Sequence, residues 1–149
     1  MTLPAQRTAA TEWPPPACFD EVRVDGIRWG VVTRGRGPVL LALHGTGASS
    51  HSFERLIPWL EERFTVVAPD LPGHAATRTP RGFVPSLPAV AASLGRLLRT
   101  LGHRPAVVLG HSAGAAIGAR MVLDRAVEGA RLVGLAAALE PLAGVGRMV

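Results

Sequence analysis

An α/β fold with a mostly parallel sheet and helices on both of its faces is predicted by three observations in these 149 residues. Short runs are apolar at every position, segments of helical period separate them, and Gly-rich junctions mark where one gives way to the next. With 48% hydrophobic and 18% charged residues, the chain can bury the core such a fold needs.

The elements follow in order. Residues 1–18, with Pro14-Pro15-Pro16 after Trp13, read as an irregular tail. Phe19 to Val24 and Ile27 to Thr33 are strand-like and joined by Asp25-Gly26, a pair suited to the positive φ angles of a tight hairpin turn. Gly35-Arg36-Gly37-Pro38 breaks the chain before Val39-Leu40-Leu41-Ala42-Leu43, a strand covered on both faces. Phe53, Leu56, Ile57 and Leu60 recur at helical spacing, and Thr65 to Ala68 is a further buried strand. Leu87, Val90, Leu94, Leu97, Leu98 and Leu101 mark an amphipathic helix stopped by Gly102. Ala106 to Leu109 is a strand, Ala113 to about Asp124 a small-residue helix, and Leu132 to Ala136 a sixth strand. Strand and helix in alternation imply parallel units with right-handed crossovers.

Several function classes drop out. The net charge of +5 comes from sixteen basic residues, every one an arginine, scattered along the chain and without interleaved aromatics, so no nucleic-acid partner is expected. No segment has the roughly 18 uninterrupted apolar residues of a membrane span, and Met1 to Arg7 do not open a secretory leader; a cytoplasmic setting is the default. Cys18, the single cysteine, cannot form an internal disulfide. There is no metal-ligand spacing, and no metal or other cofactor is expected.

The chemistry is concentrated at Gly110-His111-Ser112-Ala113-Gly114, where a buried strand ends and a helix begins. A serine on so sharp a turn is held in a strained conformation with its hydroxyl above the sheet, and Gly110 and Gly114 let strand and helix approach closely. Ser112 is therefore the candidate nucleophile. The strand 39–43 leads into His44-Gly45-Thr46-Gly47, a loop able to offer a backbone donor. The N–H groups of Thr46 and Ala113 are the expected oxyanion hole. His44 and Gly45 are expected to shape that loop, with His44 transferring no proton.

Together with Pro69-Asp70-Leu71-Pro72-Gly73-His74, these motifs resemble the α/β-hydrolase superfamily, in which the same three occur in this order. The resemblance implies an α/β-hydrolase fold with residues 19–149 as a partial domain. The stretches His44 to Ser49, Ser86-Leu87-Pro88 and Gly110 to Ala116 are similar to the magnesium-chelatase accessory proteins of bacteriochlorophyll synthesis. One departure is Ala75, where the superfamily usually continues Gly-His-Gly.

A serine hydroxyl needs an adjacent base, and in this superfamily the acid and then the histidine follow the serine. The five histidines, His44, His51, His74, His103 and His111, all precede Ser112, so the activating histidine is missing. His111 adjoins the serine on a turn that directs successive side chains apart. Some members place the acid after the strand that ends here near Ala136, which makes Glu140 a candidate acid, although a solvated surface role suits one loop carboxylate better. The sequence stops just past the sixth strand, and the expectation is of a chain truncated there. Two readings stay open: a serine hydrolase acting on an ester or related small-molecule acyl substrate, inactive as given, or a non-hydrolytic accessory protein that binds a tetrapyrrole or magnesium chelatase subunits.

Overall fold

In a computed structural model, residues 19–139 are described. Strands β1 (Phe19–Val24), β2 (Ile27–Arg34), β3 (Val39–Leu43), β4 (Thr65–Pro69), β5 (Pro105–His111) and β6 (Arg131–Leu135) form one sheet in the order β1-β2-β4-β3-β5-β6. β1 and β2 pair antiparallel, as do β2 and β4, while β4, β3, β5 and β6 run parallel. The sequence-predicted hairpin turns on Asp25 and Gly26, whose φ angles are 50° and 77°.

Alternation along the central strands builds two cores. Leu41, Leu43, Val67 and Val108 face one side, with Val90, Leu94, Leu97 and Leu98 of helix α2 (Leu87–Thr100) and Met121 of helix α3 (Ala113–Leu123). Leu40, Ala42, Val66, Ala68 and Leu109 face the other, over Phe53 and Ile57. Both faces being covered explains why these strands are apolar at every position. Each fully buried aliphatic side chain contributes about 1.5–3 kcal/mol. Among the described residues no helix is long and apolar enough to cross a membrane.

The helix expected across residues 53–60 is instead a 3₁₀ turn, Ser50–Phe53, followed by a single α turn, α1 (Ile57–Leu60). Pro58 is the reason: it has no N–H to donate back to Glu54, so it opens a new turn rather than continuing the old one. Helix α2 begins with Ser86 as N-cap, its hydroxyl accepting from the Ala89 N–H, and ends before Gly102, which takes a φ of 70°.

Candidate active site

The junction of β5 and α3 lies at the carboxyl end of the parallel strands, where loops from β3, β4 and β6 converge. Ser112 has φ 52° and ψ −119°, a conformation that costs a non-glycine residue of order 1–3 kcal/mol. The surroundings hold it there. Its N–H donates to Leu135 O at 2.9 Å, and its carbonyl accepts from Ala115 N–H at 3.0 Å and Ala138 N–H at 3.2 Å. A Cβ on Gly110 would run into the backbone of Ala115, and one on Gly114 would run into the carbonyls of Leu43 and His44. Both glycines are thus required by close approach, as the motif implied.

The β3 loop meets the same turn. A Cβ on Gly45 would lie 3.2 Å from Ser112 Cβ and 3.3 Å from His111 Nδ1, so the β3 loop packs against the serine turn at the residue that precedes Thr46. Thr46 is exposed, and its N–H meets no acceptor among the described residues. Ala113 opens α3, so its N–H is one of the four helix donors that lack an intrahelical acceptor. The fold therefore brings Gly45, Ser112 and His111 together, with Thr46 and Ala113 next to them in the chain. Glu140, the candidate acid, lies outside the described residues.

His44 is fully buried, and both ring nitrogens are engaged. Nε2 accepts the Leu71 N–H at 2.8 Å, which leaves the proton on Nδ1 to be donated to Gly45 O at 2.8 Å. Burial is the main reason its pKa falls below the ordinary 6.5; His74 adds to this, while the Gly45 carbonyl and Asp70 oppose it. A trans peptide is planar, with its C=O and N–H directed oppositely. Holding Gly45 O from one side therefore turns the Thr46 N–H to the other.

The β4 loop is fastened by groups that sequence reasoning did not single out. The Asp70 carboxylate is buried and accepts from Ser50 N–H at 2.8 Å and Ala76 N–H at 3.0 Å. Thr77 is buried beneath it, donating its hydroxyl to Asp70 O at 2.7 Å and accepting from Gly30 N–H at 3.0 Å. Asp70 and Thr77 lie in or next to a recognisable motif, but their partners are backbone groups, within the loop or as distant as Ser50 and Gly30, so nothing in the string of residues announces the bonds. Ala75 adopts a φ of 40°, so the loop keeps a left-handed residue at the position where the superfamily usually has glycine. A cleft of about 340 Å³ lies over Ser49, Ser50, His51, Asp70, Ala75 and Ala76; Ser112 is not in its lining.

Of the other histidines, His111 is exposed beside the serine, and the remaining three are occupied or distant. His51 pairs with Glu54 at 2.6 Å. His74 accepts the Gly47 N–H on Nε2 and faces Pro72 O with Nδ1. His103 stands before the start of β5, roughly 20 Å or more from the serine at the strand's far end.

A family model described as the alpha/beta hydrolase fold matches residues 38–146. The chain is 43% identical over 145 residues to the magnesium-chelatase 30 kDa subunit of Rhodobacter capsulatus, covering 96% of this chain and 50% of that protein. It is 36% identical over 107 residues to a fluoroacetate dehalogenase from a Burkholderia species, covering 69% of this chain and 35% of that one. Epoxide hydrolase VrEH1 from Vigna radiata superposes with a TM-score of 0.71 at 29% identity, over 78% of this chain and 38% of that structure. The chain thus spans half or less of the length of these relatives. With the strand order, the junction at Ser112 and the family match in agreement, the chain belongs to the α/β-hydrolase fold family.

Proposed function

We propose that Ser112 is the nucleophile of a serine-hydrolase site acting on an ester or related acyl bond, with the N–H groups of Thr46 and Ala113 receiving the oxyanion. What supports this reading is the left-handed backbone of Ser112 packed against Gly45, together with the N–H groups of Thr46 and Ala113, which meet no acceptor among the described residues. Attack would form the Oγ–C bond and shift the carbonyl electrons onto oxygen, and the hydroxyl proton must pass to a base. His44, His51, His74 and His103 are occupied or distant, and His111 adjoins the serine on a turn that directs successive side chains apart; on this reading the chain supplies attack and charge stabilisation but not proton transfer, a contribution of typically 10²–10⁴-fold. Glu140 is the candidate acid on its position in the sequence alone. The site calls for no cofactor.

Imidazole in the buffer can stand in for the base. Without it, the chain should hydrolyse an activated ester no faster than Ser112→Ala. With it, the wild type should exceed the variant by an amount that grows with imidazole concentration. Equal rates at every concentration would remove Ser112 from the chemistry.

A second reading is favoured by one observation, the 43% identity to a magnesium-chelatase subunit along nearly the whole chain. On that reading the fold binds a tetrapyrrole or a chelatase subunit, and the serine turn is architecture only. Saturable porphyrin binding that Ser112→Ala leaves unchanged, together with no imidazole-dependent hydrolysis, is the result that favours it.

A further inference from the structure

The proposed chemistry leaves the motif ending in His74 without a task, yet His74 reaches across to the loop that carries Thr46. Its Nδ1 lies 3.2 Å from Pro72 O, an acceptor, so the ring proton sits there and Nε2 presents a lone pair. That lone pair accepts the Gly47 N–H at 3.0 Å. Among the described residues the turn around Thr46 and Gly47 is otherwise closed by one backbone bond, Ala48 N–H to Gly45 O at 3.2 Å. Thr46 and Gly47 are exposed, and a Cβ on Gly47 would touch nothing within 4 Å, so packing does not restrain it.

Thr46 stands between two peptide planes. The plane before it is held through Gly45 O by His44, and the plane after it is held through Gly47 N–H by His74. The two rings also meet edge to face, with centroids 5.2 Å apart. Each imidazole accepts an N–H from the other's loop, since His44 Nε2 takes the Leu71 N–H. We infer that His74 is a positioning residue that fixes the Thr46 peptide beside Ser112 by accepting the Gly47 N–H on a neutral Nε2. Its consequence for catalysis rests on the serine-hydrolase reading; the positioning itself does not.

Residue-resolved hydrogen exchange at low protein concentration tests it, with the Ser50 N–H as internal control because Asp70 holds that group on the same loop. In His74→Ala the Gly47 amide should exchange about tenfold faster or more, equivalent to one lost hydrogen bond of about 1.4 kcal/mol, with Ser50 unchanged. His74→Gln, whose carbonyl can accept near the Nε2 position, should restore protection, and the shorter His74→Asn should not. An unchanged Gly47 in His74→Ala, Gly47 and Ser50 loosening together, or no rescue by glutamine would each overturn the inference. A phosphonate probe with imidazole present adds the catalytic arm: Ser112 labelling should slow in His74→Ala and recover in His74→Gln. If Gly47 responds as expected while Ser112 is labelled in no variant, the positioning stands and the hydrolase reading falls. If labelling proceeds equally in all variants, His74 does not position the donor.

Discussion

At the scale of single residues, His44 ties the site to pH. Burial first, and His74 after it, lower its pKa below the ordinary 6.5, against the raising effects of the Gly45 carbonyl and Asp70. The unfolded chain therefore takes up a proton at a higher pH than the folded one. The stability that neutral His44 contributes is present above 6.5 and is lost progressively as pH falls through the lowered folded value. Melting curves from about pH 8 to about pH 5 should show the wild type losing more of its melting temperature than His44→Gln, which has no proton to take up. Equal slopes would mean that other groups govern the acid response. How much of the site can be read from the sequence follows the same logic of partners. Ser112, Gly110 and Gly114 are legible because a strand-to-helix junction restricts residue types at fixed offsets. The bonds made by Asp70, Thr77 and His74 are not, because each partner is a backbone group, and a backbone N–H has no residue identity to reveal it.

At the scale of elements, apolar runs and turn residues located all six strands and the two longer helices to within a residue or two: burial on both sheet faces leaves the central strand β3 with no polar position, while the Asp25-Gly26 turn marks β1 and β2, which keep polar residues. The segment 53–60 departs from one continuous helix because periodicity records which side chains face the core and not whether the backbone ladder is continuous; Phe53 and Ile57 are buried while Pro58 sits in the first turn of a new helix. One close junction between elements is that of α3 with β3. Gly114 lies against the carbonyls of Leu43 and His44, backbone atoms that cannot swing aside as a side chain would. Gly114→Ala should therefore cost about 1–3 kcal/mol or more in a urea titration. Gly73→Asn is the matched control: its φ of 81° suits asparagine, and a Cβ there meets nothing within 4 Å, so its midpoint should hardly move. A midpoint for Gly114→Ala as close to wild type as that of the control would show that α3 can tilt away from β3.

At the scale of the whole molecule, the strands of the sheet are unequal in cover. β2, β4, β3 and β5 are flanked on both sides, whereas β6 lies at the edge of the described sheet, every residue of it exposed. Leu132, Val133 and Leu135 are 39%, 44% and 42% exposed on a strand whose apolar pattern suits burial. Among the described residues nothing pairs with the outer backbone groups of β6, and neither lysine nor proline guards it. An unguarded apolar edge is a template for pairing with another chain. The 149-residue chain should accordingly self-associate as its concentration rises and bind a hydrophobic dye. Val133→Lys places a charge on that edge without touching either core, so it should shift sedimentation toward monomer and reduce dye binding while leaving the far-ultraviolet spectrum unchanged. A wild-type chain that stays monomeric at about 100 μM and melts in one cooperative step would show that this edge is no template, because the free backbone of β6 predicts association that rises with concentration.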